Sequence, residues 1–309
     1  MKFEHLKIIF FGTPEFAVGS LKALVNAAAN IVAVVTAPDK PAGRGMQLQS
    51  SAVKLYATSH KIPVLQPEKL KNTEFINELA SFHANLFVVV AFRMLPEAVW
   101  NMPPMGTVNV HASLLPQYRG AAPINWAIIN GEIETGVTTF KLQHEIDTGN
   151  ILLQQKVPIA PEDNAGTLHD KLMKAGAELL VRTIKGMADN SIREIPQEQV
   201  AQTELKHAPK VFKEHLQINW NKGVENIHNL IRGLSPYPTA FTSLQGKSVK
   251  IFRSHYITEQ RENAPGGYDT DGKTYLRFAA RDGWLYIDEL QLEGKKKMDT
   301  VSFLRGFRV

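Results

Sequence analysis

The chain has 309 residues, of which 44% are hydrophobic, no cysteine, and a formal net charge of +5. This length predicts about two domains, and the apolar content is that of a globular protein rather than a disordered one. The lack of cysteine excludes disulfides, thiolate zinc sites and a cysteine nucleophile. No segment approaches the ~20 apolar residues of a membrane span, and the first apolar run is too short for a signal peptide. We therefore expect a cytoplasmic protein.

The positive charge is distributed unevenly. Residues 1–207 contain 19 Lys and Arg against 19 Asp and Glu, whereas residues 208–309 contain 16 against 11, so the whole excess lies in the last third. Such an asymmetry favours a polyanionic partner for the basic part. A lysine-rich solvated surface would give the same count, and composition alone leaves both interpretations open.

The first two-thirds of the chain alternate predicted strands and helices. Strands are predicted at Lys7–Phe11, Ile31–Thr36, Val64–Leu65, Leu86–Ala91, Thr107–His111, Val137–Leu142 and Ile151–Val157. Helices are predicted at Pro14–Ala29, Ser50–His60, Asn72–Ala80, Pro123–Asn130 and Thr167–Ala188. This alternation predicts an α/β domain over residues 1–188, with a Rossmann-like, doubly wound, mainly parallel sheet covered by helices.

The rest of the chain predicts a different architecture. Residues 189–207 are polar, contain Pro196 and lack strong periodicity, so we predict a linker there. Runs of β-forming residues separated by Asp-Gly turns follow, at Val249–Phe252, Gly267–Tyr268, Tyr275–Ala279 and Trp284–Leu290. This spacing predicts a small OB-like β-barrel domain over residues 208–309, a fold that often binds oligonucleotides.

Two loops follow predicted strands, on the side where open α/β sheets bind ligands. The first, Phe11-Gly12-Thr13-Pro14, lacks the G-x-G-x-x-G pattern and predicts no more than a tight turn. The second contains Lys40 and Arg44 among two prolines and two glycines. Either cation could meet a phosphate, although a solvated loop explains the composition equally well.

The pair Asn109 and His111 is the most informative pattern. Side chains alternate along a strand, so both residues point to the same face, ~7 Å apart along the backbone. The amide can donate to a developing oxyanion, and an imidazole exchanges protons near neutral pH. A lone strand histidine is more often structural, but Asp147, in the turn after Val137–Leu142, could pair with His111 and orient its ring.

Other chemistries find little support. Ser113 lacks the sequence context of a nucleophile elbow. The ten histidines lack the spacing of metal ligands, so we expect no metal site. The candidate site therefore consists of an amide, an imidazole and a carboxylate.

Three motifs together resemble the folate-dependent formyltransferases. They are Asn109-x-His111, then Ser113-Leu114-Leu115-Pro116 followed by Tyr118-Arg119-Gly120-Ala121-Ala122-Pro123-Ile124, and Asp147-Thr148-Gly149-x-Ile151-Leu152. The opening turn Phe11–Ala17 is also similar. The loop Pro38–Gly45 and the C-terminal part resemble those family members that act on tRNA rather than on small molecules.

The resemblance implies transfer of the formyl group of 10-formyltetrahydrofolate to the α-amine of methionine on initiator methionyl-tRNA, for translation initiation. It implies Asn109, His111 and Asp147 as catalytic residues. The residues implied for the folate site are Ser113, Leu114, Leu115, Pro116, Ala91 and Phe92. Those implied for tRNA binding are Lys40, Arg44, Lys295, Lys296, Lys297 and Arg305. With folate and tRNA as partners, we expect a monomer that does not bind membranes.

The sequence departs from the family pattern at two places. The segment Ala91–Pro96, which lines the folate pocket in the family, is shorter here and carries Arg93, and Tyr118 stands where members often have Trp. Three other functions stay open, namely a formyltransferase of small amines, a formylfolate hydrolase and a non-catalytic RNA-binding protein. The loop at Lys40 and the basic last third argue against the first, and a binding protein has no need of the three polar residues.

Overall fold

We describe a computed structural model of the chain over residues 2–42, 47–200, 204–259 and 263–307. The chain forms two compact units, and neither is continuous in sequence. The first unit contains residues 1–119, 135–157 and 169–206, and the second contains residues 120–134, 158–168 and 207–309. The domain boundaries expected at residues 188 and 208, and the linker expected at 189–207, stay predictions; by contacts, residues 169–206 group with the first unit.

The secondary structure follows the predicted alternation in the first two-thirds. The strands are β1 (Ile8–Gly12), β2 (Ile31–Val35), β3 (Lys40–Ala42), β4 (Gln47–Gln49), β5 (Val64–Leu65), β6 (Leu86–Val90), β7 (Thr107–His111), β8 (Arg119–Gly120), β9 (Glu134–Lys141), β10 (Ile151–Pro158), β11 (His207–Ala208), β12 (Ala240–Leu244), β13 (Lys247–Thr258), β14 (Tyr268–Thr270), β15 (Leu276–Ala279), β16 (Gly283–Leu292) and β17 (Met298–Asp299). The helices are α1 (Glu15–Asn26), α2 (Ala52–Ser59), α3 (Thr73–Ser81), α4 (Glu97–Trp100), α5 (Pro123–Ile129), α6 (Ala165–Ala188), α7 (Val224–Leu234) and α8 (Thr300–Leu304), with 3-10 turns at Phe3–His5, Gln197–Gln199 and Lys213–Leu216.

The first unit is built on a sheet with the order β10-β9-β7-β6-β1-β2-β5. Strand β1 pairs in parallel with β2 and β6, and β6 pairs in parallel with β7. Every residue of β1 and β6 is buried, which explains their nearly pure apolar sequences, because a strand covered on both faces has no polar side. The predicted Rossmann-like, mainly parallel sheet is confirmed.

One strand of the sheet, β9, runs antiparallel to its neighbour β7, which carries Asn109 and His111. In this register, Asn109 pairs with Phe140 and His111 pairs with Thr138. The chain leaves β9 at Lys141, which pairs with Val108, and reaches Asp147 in the turn that precedes β10. This connection brings a distant carboxylate close to the polar strand positions.

The second unit contains a curled antiparallel sheet with the order β12-β13-β16-β15-β14, and β17 pairs with β16. The register of β13 against β16 is irregular between Ile251 and Ser254, and irregularities of this kind bend a strand and increase its twist. Trp220 stacks on Phe278, with ring centroids 4.7 Å apart. The predicted small C-terminal β-domain is confirmed as this curled sheet.

Helix α7, which the sequence analysis did not predict, fills the core of the second unit. Its residues Val224, Ile227, Ile231 and Leu234 are all at most 1% exposed. Helix α5 packs against α7, and the Asn125 side-chain amide donates to the Gly233 carbonyl at 2.7 Å. Position 233 must be small, because a Cβ there would lie 2.5 Å from the Ile129 side chain.

Two kinds of feature are absent from the described residues. In that part of the chain no helix is long and apolar enough to cross a membrane. The same residues contain no group of three or more His, Asp or Glu side chains arranged to hold a metal ion.

Candidate active site

Strand β7 places an amide and an imidazole side by side in the first unit. The alternation along the strand puts Asn109 and His111 on one face, as predicted. Asn109 is half-buried, and none of the residues that the structure describes forms a hydrogen bond with its side-chain amide. His111 is 8% exposed. The amide therefore keeps both N–H donors available beside a nearly buried imidazole.

The His111 ring is held from both sides. Its Nε2 lies 2.9 Å from the Tyr118 carbonyl oxygen. A carbonyl only accepts, so the proton of this hydrogen bond belongs to Nε2. Its Nδ1 lies 3.8 Å from Asp147 Oδ2. That distance is too long for a direct hydrogen bond, but the carboxylate still stabilises a positive imidazole, since the two side chains are only 9% and 13% exposed.

The turn that carries Asp147 has tightly constrained backbone. Asp147 has φ +56°, in the left-handed region that few non-glycine residues adopt. Two residues later, a Cβ at Gly149 would lie 1.6 Å from the Lys141 carbonyl oxygen, so this position accepts only glycine. The Gln197 amide donates to the Asp147 and Gly149 carbonyls at 2.8 Å each. The carboxylate therefore projects from a turn with little freedom to move.

The residues implied for folate binding differ in accessibility. Ser113 is fully buried, and its hydroxyl donates to the Gln117 carbonyl at 2.6 Å. Leu115 is 1% exposed and packs with Phe140 and Ile151. Pro116 is also buried, whereas Leu114 is partly exposed. In this segment, Leu114 is the side chain that can reach a ligand.

The segment after β6 carries the other two folate-lining predictions and the unusual Arg93. Ala91 is exposed and has φ +47°, and Phe92 packs edge-on against Phe11 at 5.8 Å. The Arg93 guanidinium lies 5.7 Å from the Phe92 ring centre and donates to the Glu68 carbonyl at 2.8 Å and to the Pro67 carbonyl. Arg93 therefore fixes this short segment to the chain that follows β5.

An open cavity of about 620 Å³ lies at another place in the first unit. It is lined by residues 64–69, by Asn72 and by side chains of α3. None of the predicted catalytic or folate-lining residues borders it. Since it also lacks the polar trio, it is not the candidate active site.

The predicted tRNA contacts are exposed where the structure describes them. Lys40 is exposed at the start of β3, and Arg44 lies outside the described residues. Lys295, Lys296 and Arg305 are exposed in the second unit. Lys297 is partly engaged, because its Nζ lies 2.7 Å from a Glu289 carboxylate oxygen and 4.8 Å from the centre of the Phe252 ring.

Gln197, which is 1% exposed and contacts the Asp147 turn, is not among the residues predicted from the sequence. It lies in the segment predicted as a linker from its polar composition and lack of strong periodicity. No local pattern distinguishes a buried glutamine from a solvated one, and its partners Arg119 and Asp147 lie 78 and 50 residues away in the chain.

Two family models match the chain. The model described as "Formyl transferase" matches residues 6–184, and the model described as "Formyl transferase, C-terminal domain" matches residues 210–308. Together they span nearly the whole length.

Relatives with assigned names are similar over their full lengths. A protein of Bacteroides fragilis named methionyl-tRNA formyltransferase is 53% identical, with 100% of this chain and 97% of the relative covered. A Porphyromonas gingivalis protein of the same name is 48% identical, with 99% and 97% covered.

Solved structures share the fold at lower identity. A sugar 3N-formyl transferase, WlaRD, solved with dTDP and 5-N-formyl-THF, has a TM-score of 0.68 at 24% identity, covering 94% of this chain and 99% of that one. HypX from Aquifex aeolicus in complex with tetrahydrofolic acid has a TM-score of 0.63 at 18% identity, covering 97% of this chain and 47% of that one.

Proposed function

Because the chain belongs to the formyl transferase family, we propose that it transfers the formyl group of 10-formyltetrahydrofolate to the α-amine of methionine on initiator methionyl-tRNA. Full-length relatives at about 50% identity carry the corresponding name. The observation that carries the proposal is the convergence of Asn109, His111 and Asp147, in which His111 and Asp147 come within 3.8 Å of each other.

The donor set of the site fits a folate co-substrate. The Asn109 amide has two donors that no described residue uses, and Leu114 and Phe92 supply partly exposed apolar surface for an aromatic ring system. When bound, the folate supplies the formyl group as an amide-like carbon open to attack by an amine. Ala91 and Phe92 after β6 and Leu114 after β7 are the residues that we propose hold it.

Asn109 stabilises the charge that grows during transfer. Attack by the amine places negative charge on the formyl oxygen, and the Asn109 N–H groups donate to it. A donor that is already positioned in a partly desolvated site stabilises such charge without reorganising at the moment of reaction.

His111 and Asp147 handle the proton. With Nε2 committed to the Tyr118 carbonyl, Nδ1 of the neutral ring is the nitrogen that accepts a proton from the attacking amine and passes it to the departing nitrogen. Asp147 stabilises the imidazole while it is positively charged, across the 3.8 Å separation. The reaction needs no covalent intermediate with the protein, because orientation and charge stabilisation account for the chemistry.

Basic side chains provide the surface for the RNA. Lys295, Lys296, Lys297 and Arg305 are exposed in the second unit, and we propose that they contact tRNA phosphates, with Lys40 near the acceptor end. Such contacts recognise phosphates and 2′-hydroxyls rather than base sequence. We propose that the enzyme works as a monomer, which sedimentation at working concentrations checks.

The test is label transfer from formyl-labelled 10-formyltetrahydrofolate. Three acceptors are compared: initiator methionyl-tRNA, the same tRNA without its amino acid, and a nucleotide-linked amino sugar. We expect label only on methionyl-tRNA. Comparable transfer to the sugar would assign the protein to the small-amine class, release of formate without an acceptor would assign it to hydrolases, and tRNA binding without transfer would leave an RNA-binding protein.

A further inference from the structure

Gln197 has a buried side chain whose hydrogen-bonding groups are fully used. It is 1% exposed, at the start of the 3-10 turn Gln197–Gln199. Its Oε1 accepts from Arg119 Nε at 3.0 Å and from Arg119 Nη2 at 2.6 Å. Its Nε2 donates to the Asp147 and Gly149 carbonyls at 2.8 Å each. Both ends of the amide are therefore fixed, and its orientation follows from the chemistry of its partners.

Through its Nε2, the Gln197 side chain holds the turn that carries Asp147, the proposed catalytic carboxylate. Asp147 adopts a left-handed backbone conformation, which persists only where the surroundings hold it in place. The chain before Gln197 adds two hydrogen bonds between the backbones of Ile195 and Ile151, at 2.8 and 2.9 Å. The Gln197 side chain contacts the Asp147 carbonyl directly.

Through its Oε1, the Gln197 side chain binds Arg119, next to the turn that holds the His111 imidazole. Arg119 directly follows Tyr118, whose carbonyl accepts the hydrogen bond from His111 Nε2. Tyr118 also has positive φ, +59°. Gln197 therefore connects the turn that fixes His111 with the turn that fixes Asp147.

We infer that Gln197 is a positioning residue for the proposed formyl transfer, on which this inference rests: its side chain sets the separation between His111 and Asp147 by holding both of their supporting turns. It touches neither substrate. Its effect belongs to the catalytic step, because a displacement of about 1 Å in a reacting group can cost on the order of 100-fold in rate.

The first experiment replaces the amide without changing its length. Gln197→Met keeps the volume and removes the donors and the acceptor. We expect kcat to fall about 100-fold at saturating folate and methionyl-tRNA, with both KM values within twofold. Gln199→Ala, an exposed position in the same 3-10 turn, is the matched control and keeps wild-type kcat. A folded Gln197→Met protein with unchanged kcat would overturn the inference.

A double-mutant comparison separates positioning from general stability. In an Asp147→Asn background the carboxylate is already absent, so adding Gln197→Met should lower the residual rate by less than about threefold. Equal losses in both backgrounds would show a merely structural role and would refute the inference. Wild-type transfer to methionyl-tRNA is measured alongside, so that failure of the proposed function itself is seen separately.

If Gln197→Met does not fold, a substitution of Arg119, which is partly exposed, tests the same hydrogen bonds between Arg119 and Gln197. Arg119→Lys keeps the charge but cannot reproduce the paired N–H donors of the guanidinium. We expect about a tenfold loss of kcat with unchanged KM values, and no further loss of residual rate in the Asp147→Asn background. An unchanged kcat would refute the inference.

Discussion

Replacing Asn109 with alanine tests the proposed stabilisation of negative charge on the formyl oxygen. The half-buried amide has no hydrogen-bond partner among the described residues, so its removal strands no buried group. We therefore expect the free energy of unfolding to change by no more than about 0.5 kcal/mol. Loss of one donor to a developing oxyanion costs about 2.7–4 kcal/mol in the transition state, and kcat should accordingly fall 100- to 1,000-fold.

The assay is single-turnover formylation of methionyl-tRNA, combined with separate measurements of tRNA binding and thermal unfolding. Asn101→Ala, at an exposed asparagine after α4, serves as the control and should behave as wild type. A folded Asn109→Ala protein with kcat within threefold of wild type would refute the assigned role. Parallel losses of activity, tRNA affinity and unfolding temperature would show misfolding instead.

Three other predictions concern folate, RNA and pH. Arg93→Ala frees the segment after β6 and should raise the KM for folate several-fold without changing that for tRNA, which steady-state kinetics checks. Replacing Lys295 and Lys296 with Gln should reduce the slope of log affinity against log salt by about 0.7–0.9 per lost phosphate contact; an unchanged slope would exclude both residues. Burial, with help from the positive Arg232, lowers the pKa of His228 to about 4. The unfolded chain then binds the extra proton, so the unfolding free energy should fall by about 3 kcal/mol between pH 6.5 and 4, and His228→Gln should flatten this dependence in thermal melts.

The three residues proposed as catalytic could be singled out from the sequence because each follows a local rule. A strand fixes the shared face of Asn109 and His111, and the turn at Asp147 follows directly from the strand before it. What periodicity could not provide was the antiparallel direction of β9 relative to β7, since strand pairing depends on distant contacts. Nor could it provide the approach of Asp147, 36 positions after His111 in the chain, to within 3.8 Å of that histidine.

The features that were not predicted escaped for different physical reasons. Helix α7 has apolar residues at Val224, Ile227, Ile231 and Leu234, a helical spacing that is visible in the sequence alone. Gln197 has no such signal, because its burial depends on Arg119 and on the Asp147 turn. The buried state of Leu115 was likewise hidden, since an apolar residue just after a strand can face either a ligand or the core.

The interleaving of the two units limits how this protein can be divided or recombined. The chain passes between them after residues 119, 134, 157, 168 and 206. A fragment ending at residue 206 would keep α5 but lose α7, leaving Ile129 and Asn125 without the surface that they pack on. A chimaera of two relatives joined at that point would combine an α5 from one parent with an α7 from the other, so exchangeable pieces have to include residues 120–134 and 158–168 as well as the C-terminal third.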